Sequence, residues 1–106
     1  MEITVVINEV EYRFRVNAAT TFLYRQQFGK DLIKSFQQLK DENDVDAIDM
    51  LTELAYIAAK QADKTMTLSF YDWLEQFQLM ELYQDILPAV SKLWADSNKT
   101  ASRSKK

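Results

Sequence analysis

One glycine, Gly29, and one proline, Pro88, are all that 106 residues hold of the two strongest backbone punctuators. A chain so short of positive-φ residues and helix breakers has few ways to build tight turns or irregular loops, and it favours helix. The exception is the N-terminus. Ile3, Val5 and Ile7 fall on one side of a strand, and Val10, Tyr12, Phe14 and Val16 alternate with Glu11, Arg13 and Arg15. A period of two, repeated, describes two strands with one apolar side each. Asn8-Glu9 stands between them where a tight turn belongs, although Asn-Gly would be the stronger signal. The pattern predicts an antiparallel hairpin that needs helices over its apolar face, because an isolated hairpin is marginal in water.

From residue 17 onward the spacing is helical. Asn17 is a suitable N-cap for a helix over about residues 18–28, and Gly29 stands where a left-handed residue ends one, which makes it a structural hinge. Asp31 caps the next helix, with Leu32, Ile33, Phe36 and Leu39 at three- and four-residue spacing. The segment DENDVDAID, residues 41–49, ends that helix and begins another, with Asp44 and Asp46 placed favourably for a helix dipole. Val45, Ile48, Leu51, Ala55, Ala58 and Ala62 form one stripe, and Ala47, Met50, Leu54 and Ile57 a second beside it. A helix apolar over so much of its circumference is expected at the centre of the fold.

ADKTMT, residues 62–67, interrupts the pattern, and Ser69 with Asp72 makes a capping-box-like start to a helix carrying Phe70, Trp73, Leu74 and Phe77. Leu79, Leu82, Tyr83, Ile86, Val90, Leu93 and Trp94 continue it, and Pro88, which cannot donate to the Gln84 carbonyl, predicts a bend or restart. Beyond Asp96 the polar, basic SNKTASRSKK is expected to be a disordered tail. The predicted class is α+β, mainly α: an N-terminal antiparallel β-hairpin packed on a small bundle of about five helices. It forms one domain over residues 1–96, with the tail over 97–106.

Several function classes fit this composition poorly. With no Cys and no His, the disulfide framework, the thiolate metal site, and the commonest metal ligand and general base are all missing. A single Gly cannot supply a phosphate-cradling loop. The carboxylates of residues 41–49 lack the spacing and the glycine of a calcium loop and read as a solvated junction. All 16 acidic residues and nine of the 13 basic ones lie in residues 1–96, and Lys99, Arg103, Lys105 and Lys106 sit in the tail. An acidic body with a basic tail is a poor nucleic-acid footprint. No run is long enough to cross a bilayer, and MEITVVINEVEYRF has no signal-peptide pattern, so a cytoplasmic protein without cofactor, metal or enzymatic activity is expected.

The aromatics remain. In the helix before Gly29, Phe22 and Leu23 point one way, while Tyr24 and Phe28 lie together about 200° from Phe22. Two apolar faces mean either a helix sandwiched between hairpin and bundle or one face offered to a partner, with Arg25 adjacent as an interface residue. The same choice applies to Tyr83, Leu87 and Trp94 on the last helix. Tyr24, Arg25, Phe28, Tyr83, Leu87 and Trp94 are therefore the candidate partner-binding residues, as against the plainer reading in which such stripes are core.

A hairpin at the N-terminus, then TTFLYRQQFGKDLIKSF, a broad apolar helix LTELAYIAAKQAD, SFYDWLEQF and a final apolar helix with a basic tail together resemble the tail assembly chaperones of long-tailed phages (siphophages) of Gram-positive bacteria. The likeness covers about residues 2–95 and is most specific at the aromatic-rich helix leading into FGKDL. It implies a non-enzymatic, cofactor-free protein of the host cytoplasm during phage assembly. Such a protein binds the hydrophobic, helical tape-measure protein, keeps it soluble and promotes tail-tube assembly. It further implies a longer product made by ribosomal frameshifting, through which the tail-tube protein is recruited. The adjacent codons of Lys105 and Lys106 are the place to look for the shift. The competing reading is a small non-enzymatic helical adaptor or a homo-oligomeric structural protein.

Overall fold

The computed structural model describes residues 1–38 and 45–103, with backbone alone for 99–103. Leu39, Asp41, Glu42, Asp44, Lys105 and Lys106, all of which carry sequence expectations, lie outside the described residues. The architecture is α+β and mainly α, with an N-terminal two-stranded antiparallel sheet covered by helices. Strands β1 (Glu2–Ile7) and β2 (Val10–Arg15) pair in the register Ile3 to Phe14, Val5 to Tyr12 and Ile7 to Val10. Asn8 and Glu9 both take positive φ, 51° and 70°, the backbone of a two-residue turn whose twist matches the strands. Reciprocal bonds of 2.8 Å between Met1 and Val16 extend the ladder by one pair.

Helix α1 (Thr20–Phe28) begins two residues later than Asn17 predicts, because residues 17–20 form a tight turn first. Ala19 is therefore the N-cap in place of Asn17 and makes no side-chain cap bond, while Asn17 braces the preceding turn, its Oδ1 accepting from the Ala19 N–H at 2.9 Å. Gly29 closes α1 with φ 70° and ψ 21°, its N–H donating to the Arg25 carbonyl at 2.8 Å. Asp31 caps α2 (Leu32–Gln37) by accepting from the Lys34 N–H at 3.0 Å. The predicted helix–glycine–helix turn is therefore built as the caps require.

Helix α3 (Val45–Ala62) is the centre of the molecule and touches β2, α1, α6 (Leu87–Arg103) and α4 (Phe70–Leu74). Its stripes of small residues explain this. Ala55, Ala58 and Ala59 let neighbouring backbones approach, while Leu54, Tyr56 and Ile57 fill the space between them. Val45, assigned to a stripe by spacing, is 69% exposed because it opens the helix beyond the reach of its neighbours. The core joins Phe14 and Val16 of the hairpin to Tyr24, Leu32, Leu54, Tyr56, Trp73, Ile86, Val90 and Leu93.

Ser69 caps α4, its Oγ accepting from the Asp72 N–H at 3.2 Å. Residues 79–103 then form one continuous helical run: α5 (Leu79–Glu81), a π-turn over Leu82–Ile86, and α6. In place of a sharp restart at Pro88, the run widens just before it, and the Leu87 N–H donates to the Leu82 carbonyl five residues back. A π-turn gives the proline ring room that the Gln84 carbonyl would deny it in a regular helix. The run continues past Asp96 to Arg103, so the backbone of 97–103 is helical where composition alone suggests an unstructured tail. No Gly or Pro interrupts those residues, and elongating a helix already nucleated by packing costs little.

Candidate functional site

The six residues singled out by sequence do not form one surface. Tyr24 is fully buried, and its hydroxyl donates to Glu53 Oε1 at 2.6 Å. Lys30, placed just beyond the left-handed Gly29, bonds both oxygens of the same carboxylate at 3.1 and 3.3 Å. The hinge thus clamps the α1–α2 connection to α3. Burial, and then the Glu53 carboxylate, raise the Tyr24 phenol's pKa well above that of a free tyrosine. Tyr24 is an interior residue and offers no contact surface.

Phe28 is half-buried in an aromatic cluster with Tyr24, Tyr56 and Phe70, at centroid separations of 5.2, 6.4 and 5.3 Å. Arg25 stands away from this pair. Its guanidinium lies 5.2 Å from the centroid of Phe22, a ring 61% exposed, so the solvent-facing aromatic of α1 is Phe22. The sandwich reading of α1 therefore fails on that side: α1 packs on α2 and α3, and its Phe22 edge is open.

Tyr83, Leu87 and Trp94 separate in the same way. Leu87 is buried, and Trp94 is half-buried and stacked on Phe36 with centroids 5.2 Å apart and planes at 17°. Tyr83 alone faces solvent, 43% exposed. Tyr83 lies inside the π-turn, whereas Ile86 at its end and Leu87 just after it are buried.

Leu79 and Met80 stand with Tyr83 and are 69% and 52% exposed. Glu81 orients this segment: one carboxylate oxygen accepts from the Gln78 N–H at 2.8 Å and the other from Asn8 Nδ2 at 3.0 Å, so the hairpin turn holds the helix start. Leu79 and Tyr83 are one turn apart with Met80 between them, and Glu81 and Asp85 lie in the same segment. The apolar spacing places Leu79 in the repeat of the last helix, but a repeating apolar position does not reveal which side of the run has a neighbour. Tyr71, 74% exposed beside Phe70, was not singled out either.

A polar knot that no motif announces ties the two ends of the site region together. Thr20 Oγ1 donates to Gln61 Oε1 at 2.5 Å, Gln61 Nε2 donates to Asn17 Oδ1 at 2.8 Å, and the Asn17 N–H donates to Thr20 Oγ1 at 2.9 Å. Thr20 and Gln61 are both buried, so α1 starts in a fixed position on the last turn of α3. Beside it opens a groove of about 300 Å³ between α1 and α3, lined by Leu23, Gln26, Gln27, Ile57, Lys60 and Met66 among others.

Among the described residues no group of His, Cys, Asp or Glu is arranged to hold a metal ion, and no helix is long and apolar enough to cross a membrane. Comparison with protein-family models, curated proteins and solved structures finds no match to this chain.

Proposed function

We propose that this chain is a phage tail assembly chaperone, which holds an apolar helical stretch of a tape-measure protein and keeps it soluble while the tail tube forms. The observation that carries the reading is the solvent-facing group Leu79, Met80 and Tyr83 on an otherwise acidic body. Side chains at this spacing suit the apolar face of a partner helix, and Glu81 and Asp85 beside them favour a partner with basic flanks. The net negative charge opposes self-aggregation of a protein that exposes apolar surface. The likeness of TTFLYRQQFGKDLIKSF and SFYDWLEQF to that family supports the same assignment. A longer frameshifted product, with the shift near Lys105 and Lys106, supplies the contact with the tail-tube protein in this reading.

The test is co-expression with the protein of the long helical reading frame expected directly downstream. That partner should be soluble only with the chaperone and should co-purify with it. Leu79→Ser, Met80→Ser and Tyr83→Ser together should abolish the rescue while leaving the far-UV circular dichroism unchanged. Equal solubility of the partner alone, or full rescue by the triple variant, would refute the proposal.

A further inference from the structure

We infer that the groove between α1 and the end of α3 binds the carboxy-terminal residue of a partner polypeptide: an apolar side chain followed by a free carboxylate. The inference does not rest on the chaperone reading, and it concerns a surface distinct from Leu79, Met80 and Tyr83. The floor of the groove is apolar, with Ile57 buried and Leu23 and Met66 half-buried. Lys60 and Lys64 stand at its rim. On a chain with more acidic than basic residues, two lysines, one on the last turn of α3 and one in the turn that follows, beside an apolar floor mark the place where an anion attached to an apolar group is favoured.

The lysines are available for such a ligand. Ion pairs among the described residues join Glu2 to Arg15, Glu53 to Lys30 and Asp96 to Lys92, and none involves Lys60 or Lys64. The Lys60 ammonium lies 5.3 Å from the Tyr56 ring centroid, a contact that leaves its hydrogen-bond donors unspent. Asp63, their nearest carboxylate in sequence, is engaged elsewhere. It accepts from the hydroxyl and N–H of Thr65 at 2.6 and 3.0 Å, and these bonds hold its pKa below the usual carboxylate range. The terminal carbonyls of α3 oppose an anion here, but two are already occupied. The Ala59 carbonyl accepts from the Asp63 N–H at 3.0 Å, and the Ala62 carbonyl from Arg13 Nη2 at 3.2 Å.

Size and lining select the terminal residue. About 300 Å³ is the lower limit for a small-molecule pocket, room for one apolar side chain and its carboxylate but too little for a nucleotide or a long acyl chain. Gln26 and Gln27, exposed on the α1 wall, supply amide donors and acceptors for the preceding peptide group. The apolar side chain would rest on Leu23, Ile57 and Met66, with the carboxylate between the Lys60 and Lys64 ammonium groups.

The experiment is an amide NMR titration of the full chain with three probes: a hexapeptide ending in two leucines with a free carboxylate, the same peptide amidated, and hexanoate. The free-acid peptide should shift the resonances around Leu23, Gln26, Ile57, Lys60 and Met66, with affinity at least tenfold above that of the amidated form. Lys60→Gln with Lys64→Gln should weaken it at least tenfold while the remaining spectrum stays that of the folded protein. Equal shifts from the amidated peptide, tighter binding of hexanoate, or no shift at 5-fold to 50-fold peptide excess would each overturn the assignment.

Discussion

Replacing Tyr24 by Phe removes one oxygen from the interior and leaves the ring packing in place. The hydroxyl donates to the Glu53 carboxylate at 2.6 Å, and a hydrogen bond to a charged group contributes about 1.5–3 kcal/mol. Glu53 keeps Lys30 as a partner and its side chain is 15% exposed, so water replaces part of the lost bond. The loss should fall at the lower end, about 1.5 kcal/mol. For a domain of this size that lowers the thermal midpoint by roughly 6–12 °C. Urea denaturation of both proteins measures the difference, and a loss under about 0.5 kcal/mol, or a gain, would refute the clamp. A second reading comes from pH. Because burial and Glu53 raise the Tyr24 pKa in the folded state, the native protein retains a proton after the unfolded chain's tyrosine ionises near pH 10. Stability from this site is therefore complete below about pH 10 and declines as pH rises beyond it. Tyr24→Phe should show a shallower decline between about pH 10 and 11.5, and parallel curves would count against the assignment.

Gly29→Val should cost more than about 1 kcal/mol in denaturant unfolding, and since no atom lies within 4 Å of an added Cβ, the cost is backbone strain alone. Gly29→Asn, which tolerates the left-handed region, should recover most of it. Gln61→Leu leaves the buried Thr20 hydroxyl without its acceptor and should cost about 1–3 kcal/mol, read from the same unfolding curves. Phe28→Ala opens a gap between Tyr24, Tyr56 and Phe70 and should cost about 3 kcal/mol, whereas Phe22→Ala, at an exposed ring, should change stability by less than about 0.5 kcal/mol.

What the sequence determined is local. The two-residue period fixed the faces of β1 and β2, Asn8-Glu9 sat at the turn, and Gly29, Asp31 and Ser69 ended or began helices where their backbone chemistry requires. The paired stripes of residues 45–62 placed α3 at the centre. Which apolar side chains are interior was decided only by tertiary structure. Tyr24 and Phe22 lie on the two apolar faces of one helix, yet one is buried against α3 and the other stands in solvent. Tyr83 and Leu87 share a helical spacing, yet Tyr83 is exposed and Leu87 is buried. The Thr20–Gln61–Asn17 knot joins residues more than 40 positions apart, and the groove beside it is made by two helices whose packing distance no local pattern specifies. Periodicity reports that a face is apolar. Whether another element covers that face depends on how far and at what angle the chain returns to it, and those are set by the whole core packing at once.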